Sequence, residues 1–138
     1  MSTLSIMTLH GQEVPISSDV LLEFTSKIGG KVMQKGDPGY DDARRIWNGM
    51  VDRSPALIVR CAGSADVVQA VAFARQHQLL LAVRSGGHNI AGNAVCEGGL
   101  MIDLSAMTAV RVDAVAKKGW VEPGATLADL DQEAQAFG

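Results

Sequence analysis

The pattern of hydrophobic positions is clearest in the middle of the chain, where two short apolar runs flank a segment of helical periodicity. The runs are ALIVRC at residues 56–61 and LLLAV at residues 79–83. Between them, Ser64 is a candidate N-cap for a helix. The apolar face of that helix would consist of Val67, Ala70, Val71 and Ala74. This order predicts a β-α-β unit with a right-handed crossover, and its nearly continuous apolar strands are typical of a sheet covered on both faces.

The pattern before this unit predicts two helices. The first spans residues 18–28, begins at the cap Ser18 and is ended by the glycines at 29–30. The second is a short candidate, DDARRIWNGM at residues 41–50, within a turn-rich stretch.

After residue 99 the pattern predicts a strand, a hairpin and a last helix. The strand is LMIDL at 100–104, and the hairpin pairs AVRVD at 109–113 with GWVEP at 119–123. Thr126 is a cap for the last helix, with Asp129 three residues further on. The apolar face of this helix would be Leu127, Leu130, Ala134 and Phe137. Such a helix would normally lead back to a sheet, so we expect the domain to be incomplete.

Composition limits the kinds of protein that this chain can be. Its 138 residues are 47% hydrophobic and carry a net charge of −3, which fits one modest globular domain. The 12 Lys and Arg are interspersed among 15 Asp and Glu, so we expect no nucleic-acid partner, no membrane partner and a small-molecule ligand. There is no signal-peptide pattern and no apolar run of about 18 residues. Cys61 and Cys96 lack disulfide or zinc spacing, which predicts reduced thiols in a cytoplasmic protein.

The stretch AVRSGGHNIAGNAV, residues 82–95, is the strongest candidate for chemistry. A strand that ends in Ser-Gly-Gly at 85–87 can turn sharply, and successive backbone N–H groups in such a turn can bind an anion. Gly92 would let the returning backbone approach a ligand, and Arg84 and Asn89 supply polar groups. The alternative is a plain tight turn, which is the commoner role of a Gly-Gly pair taken alone. The spacing matches neither the dinucleotide-binding fingerprint nor a Walker loop.

His88 follows this turn directly, and more than one role is open for it. Taken alone, it would most often be a polar loop residue or a hydrogen-bonded structural histidine. Beside an anion site it becomes a candidate for contact with the ligand. With Cys96 it could form half of a metal site, but no third or fourth ligand stands at a usable spacing, so we expect no metal.

Five segments together resemble the FAD-binding region of vanillyl-alcohol-oxidase-type flavoenzymes, most of all the berberine-bridge-enzyme-like oxidases. They are ALIVRC, DVVQAVAFARQH, LAVRSGGHNIAG, GLMIDLSAM and VEPGATLADLD, in the family's order from about residue 40 onward. The resemblance implies an α+β fold, a PCMH-like FAD-binding subdomain with a central β-α-β unit and a small mixed sheet. It divides the chain into an N-terminal helix and lead-in, residues 1–39, and the first portion of the FAD-binding domain, residues 40–138. The rest of that domain and the substrate domain would be absent.

The resemblance also implies roles for individual residues. RSGGH corresponds to the loop whose backbone holds the FAD pyrophosphate, and His88 stands where family members bond the flavin 8α-methyl carbon to a histidine ring nitrogen. The cofactor-binding residues expected are Arg84, Ser85, Gly86, Gly87, His88, Asn89 and Gly92, then Leu104, Ser105, Pro123, Gly124 and Ala125, with Met107 as a weaker candidate. No catalytic base is recognisable in this chain. Some family members form a second flavin bond from a cysteine far downstream of the histidine, and Cys96 lies too near His88 for that role.

As an intact enzyme, the family implies an FAD-linked oxidase or dehydrogenase. It would transfer a hydride from a substrate C–H bond, in an alcohol, sugar or related compound, to the flavin, with oxygen as the acceptor. The 138-residue chain alone would be inactive and would self-associate through uncovered apolar surface. Two other functions stay open: a small module that binds a nucleotide or phosphate without catalysis, and a structural remnant whose loop is only a turn.

Overall fold

The computed structural model describes residues 3–138, which begin with a two-stranded antiparallel hairpin. Its strands are β1 (Thr3–Met7) and β2 (Glu13–Ser17). Ile6 and Ile16 are buried in the core, while their neighbours along each strand are more exposed. The sequence reading did not predict this hairpin, because alternation over only five residues is a weak signal for a strand.

The first helix, α1 (Ser18–Ser26), begins at the residue that the sequence predicted and ends two residues earlier than predicted. Ser17 is its N-cap, and the Ser17 side chain accepts a hydrogen bond from the amide of Val20 at 3.4 Å. The assignment of the cap to Ser18 was therefore wrong. Two adjacent serines are equivalent in a sequence pattern, and only the extended backbone of Ser17 distinguishes the cap.

A four-stranded mixed sheet forms the centre of the protein. Its strands are β3 (Lys31–Met33), β4 (Leu57–Arg60), β5 (Leu81–Arg84) and β6 (Leu100–Asp103), in the order β3-β4-β6-β5. Strand β6 is parallel to both β4 and β5, and β3 is antiparallel to β4. The three parallel strands therefore end at the same edge of the sheet.

The helix before β4 is shorter than predicted. It is α2 (Tyr40–Arg44), and the extended backbone of Arg45 ends it. Tyr40 is buried, and its hydroxyl donates to the carbonyl oxygen of Pro55 at 2.6 Å. Residues 46–50, predicted as part of this helix, instead form a turn-rich segment.

The crossover helix of the predicted β-α-β unit is α3 (Ser64–Gln76). Its N-cap is Gly63, which has no side chain to donate or accept, so the assignment of the cap to Ser64 was wrong. The buried carboxylate of Asp66 accepts hydrogen bonds from three backbone amides at 2.8–2.9 Å, those of Gly29, Gly30 and Ala62. The carboxylate thus fixes the start of α3 against the loop before β3.

The central sheet has a core on each face. Alternate residues of the middle strands face opposite sides: Leu57, Val59, Leu100 and Ile102 belong to one cluster, and Ile58 and Met101 to the other. Helices α1 and α3 cover the first cluster, where Phe24 and Phe73 stack with ring centroids 4.1 Å apart. The edge strand β5 is less covered, and its Val83 is half-exposed.

The last elements are a second hairpin and a helix. The hairpin consists of β7 (Val110–Asp113) and β8 (Lys118–Val121), as the sequence predicted. Helix α4 (Leu127–Gln135) begins with a full capping box between Thr126 and Asp129. Its predicted apolar face is poorly covered, because Leu127 is 79% exposed and no residue of the helix is buried.

The predicted class is confirmed: the chain has an α+β fold with a central β-α-β unit and a small mixed sheet. Among residues 3–138, no helix combines the length and the hydropathy that crossing a bilayer requires.

Candidate functional site

Three charged residues lie side by side where β4, β6 and β5 end. The sheet register pairs Arg60 with Asp103, and Asp103 with Arg84. The fully buried carboxylate of Asp103 accepts a hydrogen bond from Nε of Arg60 at 2.8 Å and one from Nη1 of Arg84 at 3.4 Å. Two guanidinium groups therefore share one carboxylate, and this edge of the sheet keeps an excess of one positive charge.

The glycine-rich loop, residues 84–92, starts at this edge. Ser85, Gly86 and His88 are exposed, and Gly87 is buried with a φ of +73°. Within residues 3–138, no acceptor takes a hydrogen bond from the four amides of residues 85–88. Four successive free donors beside excess positive charge offer what an anion requires.

Arg84 is the charge that lies against this turn. Its side chain is 18% exposed, and its Nε is buried without a hydrogen-bond partner among the described residues. A Cβ built on Gly87 would lie 3.2 Å from this Nε. Because an unpartnered buried N–H costs about 1–3 kcal/mol, an acceptor bound at the turn would be stabilised here.

Residues 46–53, which we call the bracing segment, hold the loop from one side. The amide of Trp47 donates to the carbonyl oxygen of Gly87 at 3.0 Å. The side-chain Nδ2 of Asn48 donates to the carbonyl oxygen of Ile90 at 2.8 Å. These bonds leave the amides of the loop untouched and use only its carbonyl oxygens, so they fix the loop without occupying its donors.

The far end of the loop is fixed by Arg53. Its Nη1 donates to the carbonyl oxygens of Gly92 at 2.9 Å and Val95 at 3.1 Å. Gly92 has a φ of +79°, and a Cβ there would lie 2.8 Å from both methyl groups of Val51. Only glycine fits this position, and the neighbour that requires it is the Val51 side chain. The approach of Gly92 to a ligand stays a prediction.

Asn89 stabilises the turn rather than projecting all its polar atoms outward. Its backbone oxygen accepts from the amide of Gly92 at 3.1 Å, and its Oδ1 accepts from the amide of Asn93 at 3.0 Å. The side-chain NH₂ group is the part of Asn89 that remains for a ligand.

The later group of predicted residues comes together beside the loop. Leu104 is joined to it, since the Leu104 amide donates to the carbonyl oxygen of Arg84 at 2.8 Å. Gly124 packs on this segment so closely that a Cβ would lie 2.4 Å from the carbonyl oxygen of Leu104 and 2.7 Å from that of Ser105. Met107 is 5% exposed and belongs to the core, so its side chain has no free surface toward the loop.

The two groups of predicted residues differ in their free donors. The amides of Leu104, Ser105, Gly124 and Ala125 all donate to protein acceptors, and Pro123 has none. This later group can therefore offer a ligand the Ser105 hydroxyl, carbonyl oxygens and apolar contact, but no backbone N–H. Within residues 3–138, the free backbone donors of the two groups lie in the first group, which includes residues 85–88.

His88 is exposed, and its own amide is one of the free donors. A Cβ on Gly86 would lie 2.7 Å from Cδ2 and 3.1 Å from Nε2 of His88, so the ring folds back over that glycine. In the described part of the chain, neither ring nitrogen has a hydrogen-bond partner. The imidazole is therefore accessible beside the donors.

Sequence reasoning missed Arg60, Asp103 and the bracing segment. The first two could have been found, because each apolar run predicted as a parallel strand is followed by a charged residue. Such residues meet at one edge of a sheet. The bracing segment gave no comparable signal, since it has no regular periodicity and its bonds run to backbone atoms some 40 residues away.

The cysteines lie outside this site. Cys61 and Cys96 are free, and both are buried. Burial raises the pKa of each thiol to about 11, and the carboxylates of Asp66 and Asp103 add to the shift at Cys61. Across residues 3–138, no three His, Cys, Asp or Glu side chains are grouped so that they could hold a metal ion.

The site has the features that a dinucleotide pyrophosphate requires: free backbone donors, an unpartnered guanidinium N–H and glycines where a side chain would collide. Comparison with known proteins agrees. Residues 55–138, more than half of the chain, match the model of a family described as FAD binding domain.

Characterised relatives and solved structures are similar over most of this chain. It is 37% identical to (R)-6-hydroxynicotine oxidase of Paenarthrobacter nicotinovorans over 80% of the chain and 24% of that protein. It is 34% identical to the berberine bridge enzyme-like protein Cyn d 4 of Cynodon dactylon over 70% of the chain and 20% of that protein. The structure of a Phl p 4 variant, a glucose oxidase, is 27% identical with a TM-score of 0.77, covering 88% of this chain and 27% of that one.

The chain spans about a quarter of the length of the curated relatives that it matches first. Together, the fold, the matched residues and these relatives show that the chain belongs to the FAD binding domain family of FAD-linked oxidoreductases, of the vanillyl-alcohol-oxidase and berberine-bridge-enzyme-like type.

Proposed function

We propose that the glycine-rich loop binds the pyrophosphate of FAD through the amides of residues 85–88. The observation that carries this proposal is that, among residues 3–138, these four successive donors have no partner, while the amides of Leu104, Ser105, Gly124 and Ala125 in the later group each have one. Charge-assisted hydrogen bonds to an anion contribute about 1.5–3 kcal/mol each, which is enough for a few of them to decide binding.

Arg84 supports the same ligand. Two guanidinium groups and one carboxylate leave one positive charge at the edge where the loop begins. The unpartnered Nε of Arg84 lies against Gly87, so a bound phosphate would be favoured both by charge and by removal of an unsatisfied donor.

We propose further that a ring nitrogen of His88 forms a covalent bond to the 8α carbon of the flavin. A C–H bond of the 8α methyl group and the N–H bond of the ring would be broken, and their two protons and two electrons would pass by way of the flavin to oxygen, which leaves as hydrogen peroxide. Support comes from its exposure, its unpartnered ring nitrogens and its place directly after the pyrophosphate donors. A covalent bond would keep the cofactor on the chain.

In the intact enzyme we propose oxidation of a small-molecule substrate, an alcohol, sugar or related compound. FAD supplies the acceptor for a hydride from the substrate C–H bond, and oxygen is the proposed final acceptor. The residues of this chain hold and orient the cofactor. The oxidase names of relatives such as 6-hydroxynicotine oxidase support this chemistry. The base and the substrate pocket would lie outside residues 84–125.

Titration of the purified chain with FAD and with riboflavin, followed by flavin fluorescence, tests the pyrophosphate site. Because riboflavin has no phosphate, FAD should bind at least about tenfold more tightly. Equal affinities, or no binding of FAD, would refute the assignment of residues 85–88. Tight binding of ADP with no preference for FAD would instead identify a general nucleotide-binding module.

The covalent bond is tested separately by acid precipitation of the FAD-loaded protein. Flavin absorbance should stay with the wild-type polypeptide and with a His10→Ala control, whose histidine lies in the exposed turn of the first hairpin. It should be lost in His88→Ala. Retention in His88→Ala, or loss from the wild type, contradicts the proposed bond but leaves the pyrophosphate site intact.

A further inference from the structure

The buried carboxylate of Asp103 touches both groups of residues around the loop. Oδ1 accepts from Nη1 of Arg84 at 3.4 Å and from the amide of Ser105 at 3.0 Å. Oδ2 accepts from Nε of Arg60 at 2.8 Å. One side chain thus joins the start of the glycine-rich loop, the start of the later group and the end of a neighbouring strand.

Asp103 itself has no access to a ligand, because it is 0% exposed. Any effect on a bound anion must act through a neighbour. Of its two arginine partners, Arg60 lies on the far side, on β4, while Arg84 is the first residue of the loop and has the Nε that faces Gly87.

We propose that Asp103 is a positioning residue for the cofactor: its carboxylate holds the Arg84 guanidinium against the turn at residues 85–88. This inference rests on the proposed pyrophosphate site. Without the carboxylate, Arg84 loses the partner that fixes Nη1, and its long side chain can leave the turn for solvent. The free amides alone would then contact the anion.

Coupling between the two residues follows from this geometry. If Asp103 acts through Arg84, removal of the carboxylate should weaken FAD binding only while Arg84 is present. A residue that merely supports the fold would weaken binding in every background. Arg60 provides the matched comparison, because it binds the same carboxylate by a shorter bond but does not contact the loop.

The experiment is a double-mutant cycle on FAD affinity, with the unfolding midpoint of each protein measured without ligand. We expect Asp103→Asn to raise the Kd about tenfold alone and in an Arg60→Gln background. In an Arg84→Gln background we expect a change of less than about twofold. Equal effects in the Arg84→Gln and Arg60→Gln backgrounds, or a Kd that only follows the unfolding midpoint, would overturn the positioning role.

If Asp103→Asn does not fold, Asp103→Glu takes its place, because this variant keeps the charge. The extra methylene moves the carboxylate, so FAD binding should weaken about fivefold in a folded protein. Unchanged affinity in Asp103→Glu would overturn the inference. A wild-type chain that does not prefer FAD over riboflavin would refute the pyrophosphate site itself, whereas a clear preference with an additive cycle would refute only the role of Asp103.

Discussion

Nη1 of Arg53 lies 2.9 Å from the carbonyl oxygen of Gly92 and connects the bracing segment to the end of the glycine-rich loop. The same nitrogen also donates to the carbonyl oxygen of Val95, so one guanidinium fixes both ends of the turn at residues 92–95. Arg53→Met keeps most of the side chain but removes both bonds, and should cost about 1–3 kcal/mol of unfolding free energy. Amide hydrogen exchange should rise at residues 89–95. Arg45→Met, at a side chain that is 76% exposed, is the control and should change stability by less than about 0.5 kcal/mol.

Gly92→Ala should destabilise the protein by about 2–4 kcal/mol, because it combines a positive φ with a collision against Val51. Gly11→Ala separates the two effects, since Gly11 has a φ of +74° but open space around it. Urea denaturation should show a clearly smaller loss for Gly11→Ala. Adding Val51→Ala should recover part of the loss at Gly92, and the absence of any recovery would contradict the steric explanation.

Asp66 should make stability depend on pH at the acid end. Burial raises its pKa, but the three backbone amides that donate to the carboxylate outweigh burial, and the pKa falls below its ordinary value of 3.8. Its contribution is therefore present above pH 3.8 and is lost as the pH falls through the lower folded-state value. Asp66→Asn should cost about 1–3 kcal/mol at pH 7, and the difference from the wild type should shrink in urea titrations below pH 3.8.

Asp131→Asn, on the exposed side of α4, is the control for this titration. It should change the free energy of unfolding by less than about 0.5 kcal/mol. A constant gap between the wild type and Asp66→Asn down to the acid limit would show that the charge of Asp66 does not contribute.

Cys61 and Cys96 should resist thiol reagents in the folded protein. Burial raises the pKa of each to about 11, so only about one part in a thousand is thiolate at pH 8, and both side chains are buried. Labelling with Ellman's reagent should be complete in concentrated guanidinium chloride and should otherwise follow the rate of global unfolding. Rapid labelling of one thiol in native buffer would show local opening of its part of the sheet.

The surface around α4 should cause self-association. Leu127 is 79% exposed, Phe137 is 58% exposed, and Trp120 of β8 is 49% exposed. Sedimentation velocity over a range of concentrations should show oligomers of the wild type, and Leu127→Glu with Phe137→Glu should shift the distribution to monomer. Leu22 of α1 is also an exposed apolar residue, so Leu22→Glu is the control and should leave the distribution of oligomers unchanged. A wild type that stays monomeric throughout would contradict this prediction.

The elements that the sequence predicted are those with a strong periodic signal or a capping motif. The β-α-β unit, the hairpin β7–β8 and the capping box at Thr126 fall in this class. The errors came where identical residue types compete for one position, as with Ser17 and Ser18, or where a role passes to a distant side chain. The carboxylate of Asp66 fixes the start of α3 by accepting hydrogen bonds from the amides of Gly29 and Gly30, which lie 36–37 residues earlier. A local sequence pattern cannot show such a contact.

The sequence predicted the part of the site that follows β5, but it did not predict the residues that support this part, which are Arg60, Asp103 and the bracing segment. Residues 84–92 were recognisable because glycines, a serine and a histidine follow an apolar run. The distinction between free amides at 85–88 and occupied amides at 104–105 depends on which carbonyl oxygens lie opposite, and only the folded chain contains that information.

The insertion of β6 between β4 and β5 also fixes the order in which this region can be assembled. A chain that has been synthesised only as far as residue 99 has no strand to join β4 to β5, and two edges of the sheet stay open. Arg60 and Arg84 also have no common carboxylate until residue 103 is present. The loop and its bracing segment are therefore made before the strand that completes the sheet, and β6 is the element that brings Arg60 and Arg84 to one carboxylate.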